Sequence, residues 1–390
     1  MNLVKFSATE LMRMLEEGKI TSLEIVEACI AQIDLKEKEV KAWEHLDHDF
    51  ALEQAKNCDS IRASGAPIGL LHGIPVGIKD IFDTIDFPTE NGTILSAGRR
   101  PAEDCTAVKL LKSAGAIIMG KTVTAELAVF APGKTRNPHD PMRTPGGSSS
   151  GSAAAVAARM VPLAIGSQTN GSVIRPASFC GVFGFKPTHG KISRSGVLQL
   201  SRILDHVGVF ANTIEDVALI TECLMSYDQD DPDTDPSPPA HLTRVINQVP
   251  TIEPKFAFVK SSVWNFTEID TQEAFEEISN FLGTQCEEVQ LPIEFDAAID
   301  NLKKIMNADL ARFLSEYIKR GEEKISDILR ELIKDGISIG AVEYNNAVEE
   351  IHSMANWILN LSSKYDAILT PAACGEAPIG LESTGNPIFC

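Results

Sequence analysis

Two short runs decide how this chain reads: Gly146-Gly147-Ser148-Ser149-Ser150-Gly151-Ser152 and Gly166-Ser167-Gln168-Thr169-Asn170-Gly171-Ser172. Between them, Ala153-Ala154-Ala155-Val156-Ala157-Ala158-Arg159 is small on nearly every face, as a helix packed tightly by its neighbours would be, so the region is no flexible linker. Several chemistries use such runs. A phosphate loop needs Gly-x-x-x-x-Gly-Lys-Ser/Thr, and neither run has the lysine. Gly147-Ser148-Ser149-Ser150-Gly151 satisfies Gly-x-Ser-x-Gly, the nucleophile elbow, but that motif requires a strand immediately before it. Here Asn137 to Pro145 holds three prolines, which excludes a central strand. Amide hydrolysis fits better once Lys79 is considered with both runs. An amide carbonyl is a poor electrophile, so its cleavage calls for an activated nucleophile, a proton shuttle to the leaving amine and donors for the oxyanion. A hydroxyl of the second run can attack, and successive N–H groups of a glycine-rich turn can converge on the oxyanion.

Working outward, Ser7-Ala8-Thr9-Glu10 and Thr21-Ser22-Leu23-Glu24 fit the capping box, each ahead of apolar residues at helical spacing. A third helix is predicted over about 48–64. Gly73-Ile74-Pro75-Val76-Gly77-Ile78-Lys79-Asp80 reads as a buried strand with a lysine at its end. A helix over about 104–114 leads to a second buried strand, Ala116-Ile117-Ile118-Met119-Gly120, so the segment belongs to an α/β layer. Residues 226–240, with five aspartates and four prolines, read as an exposed irregular loop whose prolines interrupt any compact metal-ligand spacing. Beyond it, Phe256-Ala257-Phe258-Val259 and Asp366-Ala367-Ile368-Leu369-Thr370-Pro371 read as strands around a largely helical region. His45 and His48 lie one helical turn apart, with no third ligand in view.

Composition bounds the class. The 390 residues carry 35 basic and 54 acidic side chains, a formal charge of −19. That acidic surface repels phosphate backbones, so direct nucleic-acid binding is not expected. Eight cysteines without a CxxC pair read as reduced, mostly buried small hydrophobes, and with them goes a cytoplasmic location. The amino terminus does not read as a signal peptide, and no apolar run approaches the ~20 residues that cross a bilayer, so no membrane partner is expected.

The two runs, the downstream Val173-Ile174-Arg175-Pro176-Ala177-Ser178-Phe179-Cys180-Gly181-Val182-Phe183-Gly184-Phe185-Lys186-Pro187-Thr188, the Gly73–Asp80 block and Gly120-Lys121-Thr122 together resemble the amidase signature family. The likeness runs from the first helix to the last residue. It implies a single large α/β domain with a mixed central β-sheet flanked by helices: an N-terminal helical segment (1–65), a catalytic core (66–225), an acidic Pro-rich loop (226–250) and a substrate-side helical region with a returning strand (251–390). It also implies a Ser–cis-Ser–Lys triad. Carried onto this chain, Ser172 is the nucleophile that becomes acylated, Ser148 the bridging serine after a cis peptide bond, and Lys79 the general base. The amides of Thr169, Asn170, Gly171 and Ser172 form the oxyanion hole. Lys79 must be neutral to accept a proton, and its apolar neighbours Ile74, Val76 and Ile78 suit that demand.

The implied activity is hydrolysis of a carboxylic or urea-like amide to acid and ammonia or amine, without metal or organic cofactor, on a small-molecule amide, in a protein compatible with a homodimer. Two further readings stand beside it: the glutaminase subunit of a tRNA-dependent amidotransferase, and a truncated, non-catalytic remnant. The latter arises because Thr384-Gly385-Asn386-Pro387-Ile388-Phe389-Cys390 looks like the start of a segment that family members continue, so the fold is expected to be C-terminally shortened. Gln168, Asn170 and Arg175 also depart from the commonest pattern, which has an aspartate, a glycine and an arginine one residue earlier.

Overall fold

The computed structural model describes residues 1–238 and 240–390. Contacts divide the chain into two compact units. The first comprises Met1–Asn247 with Glu323–Ser326 and Ala377–Gly385, and the second comprises Gln248–Glu322, Asp327–Glu376 and Asn386–Cys390.

Unit one is the α/β layer. Helices α1 (Ala8–Glu16) and α2 (Ser22–Val40) start where the capping boxes place them, each serine or threonine oxygen accepting the N–H three residues on and each glutamate reaching back. Such a cap is worth about 1 kcal/mol. The predicted all-helical character of 1–65 needs one correction, because strand β1 (Trp43–Leu46) lies between α2 and α3 (His48–Ala63). His45 is therefore on a strand while His48 opens a helix, and they do not share a helical face. The core continues with β2 (Pro75–Lys79), α4 (Thr106–Ser113), β3 (Ile117–Thr122), α5 (Ser150–Ala157), β4 (Leu163–Gln168), α6 (Ile174–Cys180), β5 (Phe183–Phe185), β6 (His206–Ala211), α7 (Ile214–Leu224) and the short α8 (Leu242–Val245).

Six strands form one mixed sheet in the order β1-β3-β2-β4-β6-β5. β2 is parallel to both neighbours, while β1, β6 and β5 pair antiparallel. A strand buried on both faces should be apolar throughout, and every residue of β2 is buried, Lys79 included. Helix α5 packs against β2, β3, β4, β6 and α6. Its Ser150–Val156 are all buried, which is why nothing larger than valine occurs there. A Cβ on Gly151 would lie 2.3 Å from the carbonyl oxygen of Ala42 and from the amide nitrogen of Val123, so only glycine lets α5 approach β3 this closely.

The acidic loop departs from its sequence reading. Asp228 accepts from Thr106 Oγ1 at 2.6 Å and Ser193 Oγ at 2.5 Å. Arg194 binds Asp231 at 2.7 Å and Asp233 at 2.6 Å, and Asp231 is buried. Prolines set the irregular path, but charge-assisted hydrogen bonds hold it down. The cysteines are all free, four buried and four half-buried.

Unit two holds α9 (Ile269–Leu282), α10 (Ala298–Phe313), α11 (Ser315–Gly321), α12 (Asp327–Ser338) and α13 (Ala341–Leu361), with α12 and α13 packed on α10. It also has a parallel sheet of its own, β7 (Phe256–Val259) flanked by β8 (Cys286–Val289) and β9 (Ala367–Leu369). The returning strand of the sequence reading is β9, and its partner is β7. Among the described residues no helix is long and apolar enough to cross a membrane.

Candidate active site

Each component of the site enters from a different element. Lys79 ends β2, Ser148 precedes α5, and Ser172 lies in the turn between β4 and α6. The two glycine–serine runs are stitched together by Ser149. Its hydroxyl donates to the Ser167 carbonyl at 3.2 Å and accepts the Ser167 N–H at 3.3 Å, while its own N–H donates to the Ser172 carbonyl at 3.3 Å. Side chains distant in sequence thus become fixed neighbours.

The peptide bond between Gly147 and Ser148 is cis. Lys79, with no exposed surface, donates from Nζ to Ser148 Oγ at 2.8 Å and to Ser167 Oγ at 2.8 Å. Burial drives the Lys79 pKa well below the usual lysine value, and the charge of Asp205 opposes that shift. Burial thus favours the neutral amine over the ammonium. Ser148 is 1% exposed and Ser172 8% exposed.

Two of the sequence departures, Gln168 and Arg175, have structural answers. Gln168 Oε1 accepts the N–H of Val173 at 2.8 Å and of Ile174 at 3.0 Å, so it caps the entry to α6, as a shorter acceptor could. Arg175 is buried and donates to the Thr384 carbonyl at 2.8 Å, to Thr384 Oγ1 at 3.2 Å and to the Gly147 carbonyl at 2.8 Å. It therefore ties the Ala377–Gly385 segment to the carbonyl of the cis peptide. Thr384 comes so close that a Cβ on Gly147 would stand 2.6 Å from its methyl group.

Sequence reasoning missed Ser149, Ser167 and Asp205. Asp205 accepts from Thr169 Oγ1 at 2.6 Å and from the N–H groups of Leu200 at 2.8 Å and Ser201 at 3.0 Å. Burial raises its pKa to about 6 against those hydrogen bonds. His206, beside it, is lowered to about 4, first by burial and then by Lys186.

The remaining candidates are otherwise engaged. Cys180 donates from a buried thiol to the Pro145 carbonyl at 3.4 Å, and burial pushes its pKa up, away from nucleophilic thiolate. His45, Asp80 and Glu90 bring ligand-type atoms within 4.8 Å of one another. A cation is already present: Lys121 Nζ lies 3.1 Å from Asp80, both fully buried, and His45 is 3.0 Å from Glu90. Lys121 and Asp80 form a buried ion pair, with the half-buried His45–Glu90 contact beside it.

The profile of the amidase family matches residues 24–386, and the chain belongs to that family. Among curated relatives, a glutamyl-tRNA(Gln) amidotransferase subunit from Chloroflexus aurantiacus is 41% identical over 223 residues, 56% of this chain and 46% of that protein. Its counterpart from Natranaerobius thermophilus is 33% identical over 386 residues, 95% of this chain and 77% of that protein. The chain thus spans about half the length of the first of these relatives and more of the second. Among solved structures, a protein from a complex described as vestigial, and as revealing the origins of an s-triazine catabolic enzyme, superposes with a TM-score of 0.90 at 26% identity, covering 96% of this chain and 83% of that one. A crystal structure of an amidase superposes with a TM-score of 0.83 at 27% identity, over 96% and 83% of the two chains.

Proposed function

We propose that this protein hydrolyses a carboxylic amide through an acyl-serine intermediate, with Lys79, Ser148 and Ser172 as the proton-transfer chain. The observation that carries the reading is a fully buried amine donating at 2.8 Å to the Ser148 hydroxyl. Ser172 Oγ attacks the carbonyl carbon while its proton passes to Ser148, and the proton of Ser148 passes to the Lys79 amine. The amides of Thr169, Asn170, Gly171 and Ser172 receive the oxyanion, each donor being worth on the order of 3 kcal/mol in the transition state. Collapse breaks the C–N bond, and the leaving amine takes the proton back along the same chain. Water then cleaves the ester by the same relay, releasing acid and freeing Ser172.

A serine-directed phosphonate tests this. Mass spectrometry should place the adduct on Ser172 in the parent protein, with neither labelling nor ammonia release in Ser172→Ala; continued labelling and turnover in that variant would refute the assignment. A second reading is favoured by the relatives named as amidotransferase subunits: the amide is glutamine, and the ammonia passes to a tRNA-bound acyl group held by partner subunits. Ammonia release from glutamine that depends on added partner subunits would select it.

A further inference from the structure

We propose that Asp205 is a positioning residue of this site: it holds the Thr169 end of the turn that carries Ser172. The proposal rests on the amide-hydrolysis reading above.

Sheet register brings the pair together. β4 and β6 run antiparallel with Gln168 opposite His206, so Thr169, one step beyond β4, faces Asp205, one step before β6. Their side chains meet at 2.6 Å. Both oxygens of the carboxylate are committed, one to Thr169 and the other to the N–H groups of Leu200 and Ser201. A carboxylate held at three points in a buried place is a rigid abutment, and the hydroxyl it grips belongs to the first residue of the oxyanion turn. Its charge also opposes the burial that lowers the Lys79 pKa. The other charged or titratable groups facing it are Arg194, whose Nη1 is 3.5 Å from the Asp205 carbonyl, and His206, which carries His189 edge-on at 5.2 Å and feels Lys186. Arg194 is spent on Asp231 and Asp233. The oxyanion turn therefore takes its support from a buried carboxylate through the Thr169 hydroxyl.

Asp205→Asn keeps an acceptor for Thr169 and removes the charge. A negative charge favours the ammonium form, so its loss should move the midpoint of Lys79, followed by its 13Cε resonance and assigned with Lys79→Met, to lower pH by about half a unit or more. The ascending limb of kcat/KM should move in the same direction. Thr169→Val keeps the charge and breaks the hydrogen bond; kcat should fall on the order of ten-fold with KM little changed, and Thr169→Ser should restore most of it. A Thr169→Val enzyme as fast as Thr169→Ser overturns the proposal and leaves Asp205 a mere closure of the 200–205 turn. If Asp205→Asn does not fold, the Thr169 pair decides alone, since it leaves the carboxylate in place. Failure of the hydrolase reading is a separate result, no phosphonate adduct on Ser172 in the parent protein, and the lysine titration stands regardless of it.

Discussion

Replacing Lys79 by methionine should abolish turnover and yet stabilise the protein at neutral pH. Lys79 has no exposed surface, and burial holds its pKa well below the usual lysine value. In the unfolded chain it keeps its proton up to about pH 10.4. Between the depressed folded pKa and that unfolded value, the unfolded state binds more protons, so stability rises with pH. Lys79 therefore costs stability at neutral pH, and the cost shrinks as pH climbs, by about 1.4 kcal/mol for each pH unit inside the window. Methionine removes that dependence. It also leaves the hydroxyls of Ser148 and Ser167 without their donor, an offset of about 1 kcal/mol each. Urea unfolding of parent and Lys79→Met at several pH values above neutrality measures the difference directly, because every other titrating group cancels between the two proteins. The parent should start as the less stable and gain on the variant as pH rises. Parallel curves would mean that the lysine stays an ammonium in the fold, and a charged Lys79 could not act as the base.

Arg175→Met should lower stability by about 3 kcal/mol, since hydrogen bonds from a charged donor to Thr384 and Gly147 are lost and their acceptors are left buried; a denaturation midpoint unchanged from the parent would contradict it. Gln168→Ala uncaps α6 at a cost of about 1–2 kcal/mol, and hydrogen exchange at the amides of Val173 and Ile174 should accelerate, which unaltered protection would disprove. Arg194→Ala releases Asp231 and Asp233, so limited proteolysis should cut within residues 228–235, where the parent resists; equal resistance would show that Asp228, bound to Thr106 and Ser193, suffices to hold the loop.

What could be read from the sequence was whatever has a local signal. Capping boxes, the helix over 48–63 and the buried strand ending in Lys79 follow from spacing and residue type within a few positions. The two glycine–serine runs were legible as a pair because their composition is unusual. β1, β4, β5 and β6 were not foreseen: β1 is four residues long, and the apolar part of β4 runs straight into a glycine–serine cluster that looks like loop. Asp205 lies 36 residues from Thr169 and becomes visible only through the β4–β6 register. Gln168 looked like a departure, and its role as a cap requires knowing where α6 begins. Long-range hydrogen bonds depend on which strands pair, and no window of sequence contains that.

The hold of Thr384 on Arg175 has a consequence for biosynthesis. The arginine leaves the ribosome 209 residues before its acceptor. While translation proceeds between the two, a guanidinium destined for the interior has no threonine to meet, so that corner of the fold stays wet and unsettled. Catalytic competence should therefore arrive late and abruptly in a nascent chain, once Thr384 has cleared the exit tunnel, however early the glycine–serine runs were made.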